Sequence, residues 1–251
     1  MEEKNTNHSK NNNINDNNRF ADGNHDHRQS DHSLRVGGLI LAAGLSTRMG
    51  QSKPLTKFLN KNLIDQTIKT MYDAGIGNIQ VVTGFEQERV EAYLRTNYSS
   101  DRIHTIWNPH YENGSILTSI KTGLPKLKDF DYVFIQLVDL PCIMSETYQK
   151  LWETMLASGK KAVIPTVDGR RGHPVLIDMF LLPAILSYEN AAGGGGLRGF
   201  WKQLGDEFLE VPVTDCGCVM DTDTKEQLRE AEMYLMQRRK AEDAEHKTDE
   251  E

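Results

Sequence analysis

Two cations and, far from them in the chain, three acids have the types needed for phosphate chemistry. Arg48 and Lys53 end a stretch, Gly37 to Lys53, that reads GGLILAAGLSTRMGQSK. An arginine offers a planar fork of donors and a lysine a compact point charge, the two usual ways of holding phosphate. Before them, the apolar run Leu39-Ile40-Leu41 gives way to Ala42, Ala43 and Gly44. Small residues at a strand's end let the backbone approach a ligand, and N–H groups in such a loop make a nest for anions. The stretch therefore reads as a strand followed by a polyphosphate loop. It is not a Walker A loop, because Gly44 and Gly50 are wrongly spaced and no lysine follows Gly50. It also lacks the G-x-G-x-x-G dinucleotide fingerprint. An ordinary basic surface loop is the competing reading.

The acids are Asp139, after an apolar run at 131–138, and Asp221 and Asp223, after Val219-Met220. Mg²⁺ prefers hard oxygen ligands and usually takes one or two carboxylates plus substrate phosphates. Asp139 and Asp223 meeting at one rim would suit that ion, with Asp221 as the alternative to Asp223. Each acid also has a structural reading. Asp139 before Leu140-Pro141 can shape a turn, and Asp223 with Glu226 can form a helix capping box. A basic loop, Asp168-Gly169-Arg170-Arg171-Gly172, leads into His173-Pro174. Arg170 and Arg171 either meet an anionic acceptor or are simply solvated. No Ser-His-Asp or Cys-His set suggests a covalent nucleophile.

These groups need a scaffold that brings them together. Helical spacing runs from Asn62 to Asp73 and stops at Gly75, a C-cap choice. Strands are expected at Ile79–Thr83, Ile103–Trp107, Asp131–Val138 and Ala162–Pro165. Helices are expected at Glu86–Leu94, from an N-cap at Ser115 through Leu124, and at Ser145–Leu156. Strands alternating with helices indicate a mostly parallel sheet covered on both faces, a Rossmann-like three-layer α/β/α fold. Ligands of such sheets bind beyond the carboxyl ends of the strands. Gly44, Thr83, Gly84, Asn108 and Asp139 would all lie at that edge. The second half is less regular. Gly193–Gly196 should be mobile unless something binds there. Phe208–Val213 reads as an edge or antiparallel strand, and a long helix runs from about Lys225 to Arg239.

Composition sets the outer bounds. The 251 residues suffice for one domain of about 200 residues plus tails. We assign 1–34 to a disordered Asn/His/Asp-rich tail, 35–239 to the folded domain and 240–251 to a charged tail. Residues 1–34 hold too few aliphatic groups to offset ordering entropy. His25, His27 and His32 within them could bind a transition metal, though an uninvolved polar tail explains them as well. Net charge is −7, with no basic block, so no nucleic-acid surface is expected. No apolar run approaches the ~20 residues of a membrane helix, and no secretory signal is visible. Cys142, Cys216 and Cys218 make neither a disulfide framework nor a zinc knuckle. A cytoplasmic protein with reduced thiols is the expectation.

The string L-A-A-G-x-S-x-R-M-G-x-x-K at 41–53 resembles the signature of MobA-like nucleotidyltransferases. That family moves a nucleotidyl group from a nucleoside triphosphate to a phosphorylated acceptor and releases pyrophosphate. Val138-Asp139-Leu140-Pro141 is similar to its G-D-x-P motif, with Val for Gly. Asp221-Thr222-Asp223-Thr224-Lys225 is similar to D-x-D-T-P, with Lys for Pro. Gly172-His173-Pro174-Val175 is similar to a G-H-P-V element near the acceptor, and Asn108-Pro109 and Leu117-Thr118-Ser119 to N-P and S-[LIV] positions. Order and spacing agree from about 37 to 236.

Within the family the chain looks most like the molybdenum cofactor cytidylyltransferases, which join CMP to the terminal phosphate of molybdopterin. In that group Ala42-Ala43-Gly44 goes with CTP, whereas guanylyl relatives carry A-G-G. The resemblance implies nucleotide contacts at Leu41, Ala42, Ala43, Gly44, Thr83, Gly84, Asn108 and Ser119. It implies catalytic Lys53 and Arg48, Mg²⁺ on Asp139 and Asp223, and acceptor contacts at His173, Arg170 and Arg171. The glycine run departs from a G-D-x-G-x-R pattern, with Gly194 at the Asp position. The implied partners are CTP or another nucleotide, molybdopterin and a recipient molybdoenzyme. The alternatives are a sugar- or alditol-phosphate nucleotidyltransferase and a non-catalytic molybdopterin chaperone.

Overall fold

A computed structural model describes residues 34–44, 52–189 and 196–248, with side chains to 241. Arg48, Gly194 and the three N-terminal histidines lie outside the described residues. In chain order the elements begin with β1 (Val36–Ala42), β2 (Lys57–Phe58), β3 (Lys61–Asn62) and α1 (Leu63–Asp73). Then come β4 (Ile79–Thr83), α2 (Gln87–Asn97), β5 (Ile103–Trp107), α3 (Ile116–Gly123), β6 (Tyr132–Leu137) and α4 (Ser145–Ser158). The second half adds β7 (Ala162–Val167), β8 (Arg170–Arg171), β9 (Val175–Asp178), α5 (Leu182–Ser187), α6 (Leu197–Leu204), β10 (Phe208–Pro212) and α7 (Lys225–Thr248).

The main sheet has the order β10-β7-β9-β6-β1-β4-β5, with β8 paired to β7. Pairs β1–β4, β1–β6, β4–β5 and β10–β7 are parallel, and β9 is antiparallel to both its neighbours. Every residue of β1 is buried, because helices cover both faces, as a central parallel strand requires. One face packs Ile64, Ile68, Val90, Tyr148, Leu151 and Leu235 from α1, α2, α4 and α7. The other packs Leu117, Ile120, Ile185, Phe200 and Trp201 from α3, α5 and α6. Each fully buried apolar side chain contributes about 1.5–3 kcal/mol, so the sheet is a stiff base for the loops at its carboxyl rim.

Three local outcomes differ from the sequence reading. β10 takes the edge position, one of the two expected options, but runs parallel to β7, and the antiparallel strands of the main sheet are the interior β9 and the short β8. α6 was not anticipated, although Leu197, Phe200, Trp201 and Leu204 have helical spacing. α7 continues past Arg239 to Thr248, because its last turns are rich in Ala, Glu and Lys, all good helix formers.

The carboxylate of Asp65 joins α1 to α2. It accepts hydrogen bonds from Asn62 N (3.0 Å), Tyr93 Oη (2.8 Å) and Tyr98 Oη (2.7 Å). Burial, reinforced by Asp65, pushes the Tyr93 phenol up to about 12 and raises Tyr98 as well. A pKa raised on folding stabilises fully below the unfolded value of about 10 and loses that contribution as pH rises through the folded value. Unfolding free energy from denaturant titrations should therefore fall between pH 10 and about 12. The fall should be shallower in Tyr93→Phe/Tyr98→Phe; an unaltered slope would assign it to other groups.

Candidate active site

The strand ends make a common rim. Ala42 pairs with Thr83 and Thr83 with Trp107, while Leu41 pairs with Leu137. Just past β4, Gly84 lies against the end of β1. A Cβ there would sit 2.5 Å from the Ala43 carbonyl oxygen, so only glycine permits this approach. The rim residues expected from the sequence are thus neighbours. Leu41, Ala42, Ala43, Thr83 and Gly84 are buried, and Gly44 is exposed. Asn108 and Ser119 also meet, but through each other. Asn108 Nδ2 donates to Ser119 Oγ at 3.1 Å and its Oδ1 accepts from His110 N at 3.0 Å. Asn108 is wholly buried, so its side chain fixes the turn after β5 and ties it to α3.

Lys53 opens a short 3-10 turn, Lys53–Leu55, between two buried polar residues, Ser52 and Thr56. Thr56 N donates to the Lys53 carbonyl and Leu55 N to that of Ser52, both at 3.1 Å. Asp139 stands two residues beyond β6. Its turn is held by Gln136, whose Nε2 donates to the carbonyls of Leu137 (3.0 Å) and Leu140 (3.1 Å). Tyr148 Oη in turn donates to Gln136 Oε1 at 3.1 Å. Asp223 arrives just before α7. Thr222 Oγ1 donates to the Asp139 carbonyl at 3.1 Å, joining the two acidic segments.

Lys53 Nζ donates to Asp139 Oδ2 at 3.0 Å and also to Asp223 Oδ1. Two segments, 86 and 170 positions from Lys53, therefore close on it at one point. The ammonium side chain is only 11% exposed, against 24% for Asp139 and 42% for Asp223. Burial alone lowers the Lys53 pKa, but the charges and hydrogen bonds of the two carboxylates reverse this and leave it raised. Lys53 is therefore a fixed positive charge at any physiological pH and not a proton donor. Asp139 Oδ1 is buried without a hydrogen-bond partner. A buried carboxylate oxygen left unpaired is costly, and a hard divalent cation would satisfy it.

The capping box at the start of α7 is formed one residue later than Asp223. Gln227 N donates to Thr224 Oγ1 at 3.2 Å and Thr224 N to Gln227 Oε1 at 2.9 Å. Asp223 is thereby left to Lys53, with its own N–H on Asp221 Oδ1 at 3.3 Å. The two functions separate by mutation. Thr224→Ala should cost about 1 kcal/mol of stability with turnover kept, and Asp223→Asn should do the reverse. Equal stability losses in thermal melts would show that Asp223 also caps.

His173 reaches this rim because β9 runs antiparallel, so its amino end lies beside the carboxyl end of β6. His173 N donates to the Cys218 carbonyl at 3.0 Å, and Nδ1 donates to that of Ile135 at 3.2 Å. Burial lowers its pKa against the opposing influence of the Ile135 carbonyl and Asp139. The ring is neutral at neutral pH. Arg171 turns the other way. It pairs with Glu210 at 2.6 Å and lies over the Phe208 ring, on the β10 side of β7. Arg170 is exposed on the hairpin beyond the rim end of β7.

Asp215, which sequence reasoning missed, holds the loops around Asp139. Its buried carboxylate accepts from Met144 N (2.8 Å), Thr147 Oγ1 (2.8 Å) and Gly217 N (3.0 Å). Gly217 packs so closely that a Cβ would lie 2.2 Å from the Cys142 carbonyl oxygen. The sequence signal was Asp215-x-Gly217 after a strand, a turn pattern. Gln136 was also legible, as a polar residue inside the apolar run of β6.

Among the described residues no helix is long and apolar enough to cross a membrane, and no group of three His, Cys, Asp or Glu side chains is arranged to hold a metal. A cation here would thus rest on two carboxylates and complete its shell from substrate or water.

Residues 38–208 match the model of the MobA-like NTP transferase domain. The molybdenum cofactor cytidylyltransferase of Escherichia coli K12 is 28% identical over 187 residues, 74% of this chain and 90% of that protein. The nicotine blue oxidoreductase of Paenarthrobacter nicotinovorans is 28% identical over 199 residues, 77% and 94% of the two chains. The crystal structure of Rv0371c from Mycobacterium tuberculosis H37Rv superposes with a TM-score of 0.66 at 17% identity, covering 82% of this chain and all of that one. A manganese complex of Rv0371c gives 0.59 at 19% identity, covering 78% and 97%. With the family model spanning most of the folded chain, this protein belongs to the MobA-like NTP transferase family of nucleotidyltransferases.

Proposed function

We propose that the protein transfers CMP from CTP to the terminal phosphate of molybdopterin and releases pyrophosphate. One observation carries the nucleotidyl-transfer reading: Lys53, Asp139 and Asp223 meet beyond the carboxyl ends of the parallel strands, where sheets of this kind bind their ligands. The cytidylyl and molybdopterin parts rest on Ala42-Ala43-Gly44 and on the Escherichia coli relative.

The acceptor's terminal phosphate monoester is largely ionised at neutral pH, its second pKa lying near 6. One of its oxygens attacks the α-phosphorus of CTP, a new P–O bond forms, and the bond to the bridging oxygen of pyrophosphate breaks. The nucleophile brings its own charge, so no general base is required. Neutral His173 fits this, serving as a hydrogen-bonding wall and not as an acid. The catalytic demand is in-line positioning and neutralisation of charge on the transferring group. Lys53 supplies a fixed ammonium for the α-phosphate, and Arg48 supplies a second cation for the triphosphate. Ala42, Ala43, Gly44, Thr83 and Gly84 bring backbone close to the nucleotide, with Asn108 and Ser119 holding the neighbouring turn. Asp139 and Asp223 would hold Mg²⁺, which when bound neutralises phosphate charge and aligns the reacting groups. Arg170 and His173 would meet the acceptor, while Arg171, paired with Glu210 at the surface, would support the hairpin.

The test is a panel of CTP, GTP, ATP and UTP, each with molybdopterin or with sugar and alditol phosphates, read by pyrophosphate release. CTP with molybdopterin should be the fastest pair. Release only with a sugar or alditol phosphate would replace the acceptor. No release with any pair, alongside tight molybdopterin binding, would favour the chaperone.

A further inference from the structure

A cleft of about 620 Å³ opens between α1, the start of α4 and the outer half of α7. None of Lys53, Asp139 and Asp223 lines it. Its size falls in the range of roughly 300–1,000 Å³ usual for small-molecule sites. Its charged lining is Lys61, Lys69, Arg238 and Arg239 against Asp73 and Glu146. Four positive groups face two negative ones, in a chain whose net charge is −7. The sign of the cleft is thus opposite to that of the molecule, and opposite charge in a recess concentrates anions.

The cations come from three separate elements, and three of the four are held by partners: Lys69, Arg238 and Arg239. Arg239 Nη2 donates to Gln66 Oε1 at 3.1 Å, and Arg238 Nη1 donates to the Cys142 carbonyl at 2.8 Å. Lys69 pairs with Asp73 at 2.5 Å, while Lys61 makes no ion pair among the described residues. An arginine carries five N–H donors in a rigid fork. The Gln66 bond uses one donor of Arg239 and fixes the plane of the rest. Ordered guanidinium groups bind oxyanions at a smaller entropic cost than free ones. The spread of charge over β3, α1 and α7 matches a ligand with several anionic oxygens better than a single carboxylate. The volume is also more than one phosphate group fills.

We propose that this cleft is a second, non-catalytic site for a phosphorylated small molecule, recognised through a di- or triphosphate group. Isothermal titration of the full chain with inorganic pyrophosphate, in the presence of EDTA, tests it. Two binding events per chain are expected. Lys61→Ala/Arg239→Ala should weaken one of them about tenfold or more, and Lys53→Ala should weaken only the other. Any event in the native protein that Lys61→Ala/Arg239→Ala weakens supports the cleft, and events all unchanged in that variant, whether one or two, would overturn the proposal. Inorganic phosphate should bind the cleft more weakly than pyrophosphate; equal affinity would overturn recognition of an oligophosphate. If the double variant melts early, the charge reversal Lys61→Glu on the β2–β3 hairpin gives the same reading without touching a helix. An unchanged affinity there would again overturn the site.

Discussion

Lys53→Ala should lower turnover on the order of 1,000-fold, the effect of removing one preorganised charge-stabilising donor, about 3–4 kcal/mol. The sequence suggests that a loop lysine can be removed with folding nearly intact. The geometry adds a cost, because the side chain is 11% exposed and separates two carboxylates. Taking one partner from a fully buried pair costs about 3–5 kcal/mol. Here Asp223 is 42% exposed and water screens what remains, so about 1–2 kcal/mol is expected. Steady-state rates and thermal melts on the same preparation separate the two effects. A variant with near-native turnover would remove Lys53 from the chemistry.

Asp139→Asn should abolish metal-dependent turnover, with a loss of at least about 1,000-fold, and weaken divalent-ion binding about tenfold or more. The substitution keeps size and one acceptor, so Gln136 still holds the Leu137–Leu140 turn, while loss of one of the two carboxylates around Lys53 should cost about 1 kcal/mol. Asparagine nevertheless removes the negative charge that Lys53 and a cation require. Asp139→Ala should reach the same rate. If Asp139→Asn kept its metal titration and its rate, Asp139 would be a turn-former, the reading its place before Leu140-Pro141 also allows.

Much of this site was legible from residue types and spacing. The bounds of β4 and β5 follow from short apolar runs closed by Thr83-Gly84 and Asn108-Pro109. Asp139 and Asp223 follow from acids placed just past such runs, which parallel strands collect at one edge, and Lys53 follows from the basic loop after β1. Strand direction was not legible: an apolar run packs equally well either way, so β9 gave no sign that it reverses and carries His173 to the rim. The capping box was ambiguous for a similar reason. Asp223 with Glu226 and Thr224 with Gln227 have identical spacing, and only the position of Lys53 decides between them. Arg171 looked available because Glu210 is 39 residues away, a tertiary contact without a local signal. The spacing of α6 was present, but the glycine run before it drew attention to breakage and away from the four apolar residues that follow.

The most direct measurement is a crystal structure of the protein with Mg²⁺ and a non-hydrolysable CTP analogue. Lys53 Nζ should lie within hydrogen-bonding distance of an α-phosphate oxygen, with the carboxylates of Asp139 and Asp223 on the ion beside it. A triphosphate seated elsewhere, with Lys53 still closed on both aspartates, would contradict the assignment of this cluster to nucleotidyl transfer.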